Sequence, residues 1–411
     1  MRILVHDYSG HPFQAELSRA LAATQPLDEV AHAYCSDYVS GKGNLEASQN
    51  DPKNLTFRPI TSSASSDRYA FWGRVRHEVA YAISTLRLLR EHRPDVVIYS
   101  NVPLLAHWML TVLAPRTPTV FWHQDVYSAA MAKELEGRAG LVGRTLSRLP
   151  ERMERQIAKH SRCVVAISEA FSPVYRRWHI EPRRITFIPN WAPIGELPTT
   201  RRSNAWSAKA GLSDRFVALY SGTLGLKHDP SVLKALANSL LAIPGACVVV
   251  ISEGLGRDYL ERELRSSHST NLILLDYQDY SRLPEVLGAA DVLLAVLEPD
   301  AGGYSVPSKI LTYLCAGRPI VALVPADNQA AQTVVRAGAG FVVSDSEGFT
   351  AAVTALADDP ELRAGQGARA RLYAEEAFDI DQIVARWRAV LAAATGLPVL
   401  PNLDASGTMP S

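Results

Sequence analysis

The chain has 411 residues, and its 42 basic and 42 acidic side chains leave no formal net charge. At roughly 150 residues per domain that length fits two large domains, each able to bury a sizeable core. Apolar residues make up 47% and charged residues 20%, a globular balance that argues against disorder, while the neutral total argues against bulk attraction to nucleic acid. Cys35, Cys163, Cys247 and Cys315 stand apart with no CxxC pair, so neither a disulfide framework nor a zinc ribbon is expected. A reducing cytoplasm fits that usage. His6 and Asp7 interrupt the apolar start too early for a signal peptide, and no stretch of about 18 uncharged apolar residues is present to span a membrane.

Short β-branched runs alternate with helical patterns. RILVHD (2–7) reads as a buried strand and residues 12–25 as an amphipathic helix. Residues 77–94 form a second helix, followed by the strand DVVIYSN (95–101) and a helix through 103–114. Further strands fall at TVFWHQD (119–125), RCVVAIS (162–168) and ITFIPN (185–190). Residues 191–207 carry prolines and no periodicity, which reads as a linker.

The pattern then restarts. Strands are expected at 216–222, 246–252, 271–276, 291–297, 319–324 and 340–343, with helices between them. Among these helices are 229–242, a segment at 281–290 opened by a Ser281 cap, and one near 347–375. A last amphipathic helix covers 379–395 and is expected to return to the first domain; the tail 397–411 reads as disordered. The fold class is α/β: two Rossmann-like, doubly wound parallel-sheet domains facing a cleft, over residues 1–195 and 208–375.

The most informative segment is GGYSVPSKILTYLCAGRPIVA (302–322). Two glycines permit a tight loop, Ser305 or Ser308 can cap a helix, and Gly317 stops it. Lys309 opposes the helix dipole in the first turn, a placement that an anion would compensate. SGTLGLKHDP (221–230) is a second glycine loop after a strand, with Lys227 able to reach a diphosphate. It lacks the spacing of a Walker loop.

Taken with ISEGLGRDYL (251–260) and LDYQDYSRLPEVLGAADVLLAVLE (275–298), these loops resemble the donor domain of family 4 glycosyltransferases. Those enzymes have the GT-B architecture and retain anomeric configuration. VHDYSGHPFQAELSRALA, FWHQDVYS, VVAISEAF and ITFIPNW resemble the acceptor domain of the bacterial branch that builds colanic-acid-like, capsular and O-antigen polysaccharides. The likeness spans about residues 1–390.

It implies a nucleotide-diphosphate sugar as donor and a saccharide, lipid-linked in that branch, as acceptor. Donor-binding candidates are then Gly10, His11, Gly222, Thr223, Lys227, Glu253, Tyr277, Glu298, Ser308, Lys309 and Thr312. His123 and Asp125, which end a strand, join Lys227 and Lys309 as catalytic candidates. Many members carry two glutamates where this chain has Tyr304 and Thr312, and an arginine where it has Thr223.

Neither cofactor nor metal is expected. Asp379-Ile380-Asp381 formally matches a DxD metal motif but opens a helix, where capping accounts for it. Lysines and backbone N–H groups can stabilise a departing diphosphate instead. Residues 68–76 place Tyr69, Phe71 and Trp72 beside Arg68, Arg74 and Arg76, a composition suited to reversible contact with an anionic membrane surface. Arg144, Arg148, Arg152 and Arg155 add to it, weakened by Glu151 and Glu154. Two rival readings remain open: a nucleotide-sugar 2-epimerase of the same architecture, and a non-catalytic binding partner.

Overall fold

The computed structural model describes residues 1–37, 43–62, 71–129, 148–225, 228–267, 270–297 and 308–398. Lys227, Glu298, Tyr304, Ser305, Arg68, Tyr69 and Arg144 lie outside those residues, as does the side chain of Phe71 and the tail from 399. The chain divides into two compact units: unit 1 is Met1–Asn190 with Asp379–Ser411, and unit 2 is Trp191–Phe378.

Unit 1 is built on a seven-stranded parallel sheet. Its strands are β1 (Arg2–Asp7), β2 (Glu29–Cys35), β3 (Leu55–Ile60), β4 (Val96–Ser100), β5 (Thr119–His123), β6 (Cys163–Ala166) and β7 (Ile185–Phe187). The spatial order is β3-β2-β1-β4-β5-β6-β7. Helices cover both faces, so β4 reads as an unbroken apolar run with all of its residues buried. Leu4, Ala33, Val97 and Tyr99 pack one face against Tyr81, Leu86, Ala106 and Leu110 of the helices Phe71–His92 and Leu104–Leu113.

Helix Ile380–Thr395 packs on helix Pro12–Thr24 of the same unit, setting Trp387 edge-on to Trp122 with ring centroids 4.5 Å apart. Arg388, itself buried, bonds to Asp28 and to the Leu21 carbonyl. Asp379 caps this helix by accepting from the Asp381 and Gln382 amides at 2.9 and 3.4 Å, the capping role expected for the DxD match.

Unit 2 repeats the design with six parallel strands: β8 (Val217–Ser221), β9 (Cys247–Ile251), β10 (Leu272–Leu275), β11 (Val292–Val296), β12 (Ile320–Leu323) and β13 (Gly340–Val343). Their order is β10-β9-β8-β11-β12-β13. In each sheet the strand order reverses once, between β1 and β4 in unit 1 and between β8 and β11 in unit 2. Ligands of open α/β sheets bind outside the carboxyl ends of the strands at that reversal. The fold therefore directs attention to the loops after β1 and β4, and after β8 and β11.

Several local expectations change. Strands β2 and β3 are additions: β2 alternates small residues with a wholly buried His32, and edge strand β3 carries Pro59 and a half-exposed pattern. Residues 191–207 are built into unit 2, with Trp191, Leu197 and Trp206 buried and Asn204 and Ser207 forming a reciprocal cap. Ser281 caps nothing; it lies inside a 3-10 turn, Tyr280–Arg282, that leads into the short helix Leu283–Gly288. The long helix expected near 347–375 is two, Ser346–Asp358 and Pro360–Ala377, because Asp359 caps the second and Pro360 opens it. All four cysteines are buried and none forms a disulfide. No described helix is long and apolar enough to cross a membrane.

Candidate active site

In unit 2 the strand β8 ends at Ser221 and the chain turns at Gly222, whose φ of +133° is a conformation that side-chain-bearing residues rarely adopt. A Cβ there would stand 3.1 Å from Lys309 Nζ, so the glycine and the lysine occupy one small space. Lys309, at the start of helix Lys309–Cys315, hydrogen-bonds the Tyr220 hydroxyl and holds its ammonium 3.7 Å from the Tyr220 ring centroid. The Tyr220 hydroxyl in turn donates to the Thr223 carbonyl at 3.0 Å. Burial lowers the Lys309 pKa to about 7, and no carboxylate among the described residues pairs with it. This amine is held ready to pair, as an ammonium, with an anion.

The surrounding turn is tightly specified. Tyr313 donates to the Ser221 carbonyl at 3.1 Å and accepts from the Ser221 amide at 2.9 Å. The Leu224 amide donates to Ser252 Oγ at 3.0 Å, and the Leu224 carbonyl accepts from the Gly256 amide at 2.9 Å. Thr223 and Tyr277 share a hydroxyl–hydroxyl bond of 2.7 Å beside the turn, and Tyr277 and Glu253 are exposed at the ends of β10 and β9. Ser308 occupies the cap position of the Lys309 helix, but its side chain makes no capping bond. Thr312 bonds back to the Lys309 carbonyl at 2.9 Å, which commits its hydroxyl to the helix. Replacing Gly222 with alanine is expected to cost about 1–3 kcal/mol through backbone strain alone and to push Lys309 aside. Urea unfolding and nucleotide titration of Gly222→Ala check both effects.

In unit 1, Asp7 ends β1 and is wholly buried. Its carboxylate accepts from the Ser9 amide at 3.1 Å, the His11 amide, and Asn101 Nδ2 at 3.3 Å. His11 Nδ1 lies 3.5 Å from Asp7 Oδ1. Burial opposes the charged imidazole, but the Asp7 charge and hydrogen bond outweigh it and raise the His11 pKa above 6.5. Burial likewise opposes the Asp7 carboxylate, and His11 more than offsets it, so the Asp7 pKa falls below 3.8. Gly10 turns with φ +74°, and Asn101, after β4, is left-handed at φ +55°. The pair thus sits at the β1/β4 reversal.

His123 is enclosed within unit 1. It is wholly buried among Phe121, Phe171, Tyr175 and Trp178, with Nδ1 2.8 Å from the Tyr175 hydroxyl and Nε2 3.2 Å from Glu154 Oε1. Glu154 also accepts from the Tyr127 and Ser128 amides, each at 3.0 Å, and so ties down the loop that carries Asp125. Glu154 accordingly faces the core and takes nothing from a surface patch. The stripe Pro150, Glu154, Ile157, Ala158 at helical spacing is the signal that would have placed it inside. Gln124 bonds Asn190 at 2.5 Å, and Ser168 caps a 3-10 turn by accepting from the Ala170 amide at 3.2 Å. Tyr220, Asp7, Asn101 and Glu154 are the residues that sequence reasoning missed.

Two family descriptions match the chain: Glycosyltransferase Family 4 over residues 48–194 and Glycosyl transferases group 1 over residues 215–359. A GDP-mannose-dependent monoacylated alpha-(1-6)-phosphatidylinositol monomannoside mannosyltransferase of Corynebacterium glutamicum is 28% identical over 181 residues. That match covers 43% of this chain and 47% of the relative. The putative colanic acid biosynthesis glycosyl transferase WcaI of Escherichia coli is 24% identical over 253 residues, covering 59% of this chain and 61% of WcaI. The matches thus span about half to three-fifths of these curated relatives. Among solved structures, Anabaena HepE in complex with UDP and glucose superposes with a TM-score of 0.70 at 18% identity, covering 95% of this chain and 99% of HepE. The likeness shows the GT-B fold.

Proposed function

We propose that this chain, a glycosyltransferase by the family of both its segments, moves a sugar from a nucleotide-diphosphate donor to a lipid-linked saccharide in cell-surface polysaccharide synthesis. The observation that carries the reading is Lys309 beside the Gly222 turn, at the strand-order reversal of unit 2. A donor diphosphate there meets a lysine with no competing carboxylate among the described residues. Glu253 and Tyr277 stand nearby for the nucleoside, and Lys227 adds a second cation in this reading. In unit 1, Asp125 is assigned to the acceptor in this reading, and His123 holds the Asp125 loop by way of Glu154.

Leaving-group stabilisation then comes from fixed lysines and needs little reorganisation during reaction. Turnover is accordingly expected to survive chelation and dialysis; loss that only magnesium or manganese restores would contradict this part of the account. Retention of configuration follows if the leaving diphosphate itself accepts the acceptor proton, so no carboxylate base is assigned.

The named relatives differ in base, one using GDP-mannose and the other structure holding UDP, so both nucleotides are the probes. A nucleoside diphosphate that binds only the folded state raises the unfolding temperature progressively as its concentration exceeds Kd. One of UDP, GDP, ADP or dTDP is expected to do so, and the absence of any shift across all four would overturn the donor reading.

Membrane approach belongs to unit 1. Helix Phe71–His92 exposes Trp72, Arg74, Arg76, Ile83, Arg87 and Arg90. Each basic residue near an anionic surface contributes about 1 kcal/mol, screened within about 8 Å at physiological salt. Wild-type protein is expected to co-sediment with phosphatidylserine vesicles at low salt, and the Arg74→Glu/Arg76→Glu variant to stay in solution with donor binding intact. Failure of wild type to sediment would make the exposed face ordinary surface and remove the membrane contact.

A further inference from the structure

We propose that Lys309 is a modification site: its amine takes the acyl group of a small acyl phosphate, and the acylated chain no longer holds the donor. The second half rests on the donor reading above, whereas the reaction itself lies wholly within unit 2.

The geometry around the nitrogen is that of a nucleophile. The Tyr220 hydroxyl gives its one proton to the Thr223 carbonyl at 3.0 Å, so its oxygen accepts from Lys309. One N–H of the amine is thereby committed, and in the neutral amine the lone pair points away from that bond. Beside Nζ the chain has Gly222, where a Cβ would stand 3.1 Å from the nitrogen and 3.2 Å from Cε. Glycine keeps that side clear of a side chain, and Lys309 is half-buried, not sealed.

Nothing among the described residues holds the amine as an ammonium. The titratable groups gathered about Tyr220 are the phenols of Tyr277 and Tyr313, and burial raises all three phenols, so each is uncharged at neutral pH. Glu253 acts on Tyr277, but no carboxylate acts on Lys309. With burial lowering the lysine to about 7, about half of the amines are neutral at pH 7, against roughly one in a few thousand for an exposed lysine.

In the reaction the amine nitrogen attacks the acyl carbon. The new N–C bond forms as the bond from that carbon to the phosphate oxygen breaks; inorganic phosphate leaves with the electron pair and the amine proton passes to solvent. The product is a neutral amide, which removes the charge that a diphosphate would meet.

The chain has eight lysines, and the exposed Lys53, Lys159 and Lys209 serve as internal references. The full chain is incubated with acetyl phosphate, and peptide mass spectrometry follows each site with time. Near neutral pH, Lys309 is expected to acetylate at least about tenfold faster than the references. Its rate should level off above about pH 8, while theirs climbs to about pH 10. A rate no faster than the references, or one that rises in parallel with theirs, would overturn the acylation and leave the donor reading standing. A nucleoside diphosphate that calorimetry shows to bind is expected to slow Lys309 alone, and the acetylated protein to lose that binding. Unchanged affinity after acetylation would overturn the second half of the proposal. A reactive Lys309 in a chain that binds no nucleotide would remove the donor reading and leave the reactivity intact.

Discussion

Lowering the pH from 7 to 5 is expected to destabilise unit 1 by several kcal/mol while leaving unit 2 nearly unchanged. Burial drives the pKa of His6 and His32 down to about 4 and that of His107 to about 3, against an ordinary value of 6.5. Each of these histidines is neutral when folded and takes up a proton when unfolded. Their contribution is therefore fully present above pH 6.5 and is lost as pH falls toward the folded values. Each costs a factor of about ten in the folding equilibrium per pH unit, so three together remove roughly 6 kcal/mol by pH 5. A domain's whole stability is about 5–15 kcal/mol.

The surroundings explain why the rings stay neutral. His6 Nε2 meets the Tyr81 hydroxyl at 2.9 Å, His32 Nδ1 meets Ser18 Oγ at 2.8 Å, and His107 lies between the Tyr99 and Phe121 rings. His11, with its raised value, works in the opposite direction and softens the fall. Unit 2 holds only His228 and His268, and the penalty on Lys309 accrues between pH 10.5 and about 7, leaving nothing further to lose below that. Trp191 and Trp206 alone report on unit 2, so tryptophan fluorescence follows unit 1 in the main. Calorimetry should resolve two transitions at pH 5, and His107→Phe should move the first one upward. A single transition unchanged between pH 7 and 5 would contradict this account.

Replacing Lys309 with methionine is expected to weaken nucleoside diphosphate binding by about 1.5–3 kcal/mol, roughly ten- to a hundredfold. Methionine keeps much of the volume against Tyr220 while removing the charge. The lowered pKa adds a sharper signature. At pH 8 the free lysine is largely neutral, since its value is about 7, and a bound diphosphate draws a proton onto it. Titrations in two buffers of different ionisation heat should then report proton uptake in wild type and much less in Lys309→Met. Affinity in wild type should also fall as pH rises from 7 to 9. Unchanged affinity in a folded Lys309→Met protein would remove the assignment.

The sequence made the architecture legible because a buried parallel sheet writes itself as repeated apolar runs, as in Val96–Ser100 and Cys247–Ile251. It was weakest where a strand departs from that rule: His32 and Pro59 disguised β2 and β3. Among site residues, Lys309 and Gly222 were visible as a glycine turn and a lysine that the helix dipole disfavours. What spacing does not convey is that one packs on the other through Tyr220, a contact between residues far apart in the chain. His123 shows the opposite case. A histidine at a strand end marks a site by position, but its burial against Glu154 depends on a helix the loop pattern does not reveal. Asp7 was read only as an interruption of an apolar run, though a carboxylate ending the first strand, followed by Gly-His, places it at the β1/β4 reversal.

The most direct test of the central claim is a mass-spectrometric transfer assay. Isotope-labelled UDP-, GDP-, ADP- and dTDP-sugars are incubated with the full chain and lipid-linked saccharides. The account predicts one labelled sugar added to an acceptor, with release of the nucleoside diphosphate, and loss of that product in Lys309→Met. Nucleotide sugar converted to its epimer without acceptor, or nucleotide bound with neither transfer nor hydrolysis across the panel, would contradict it.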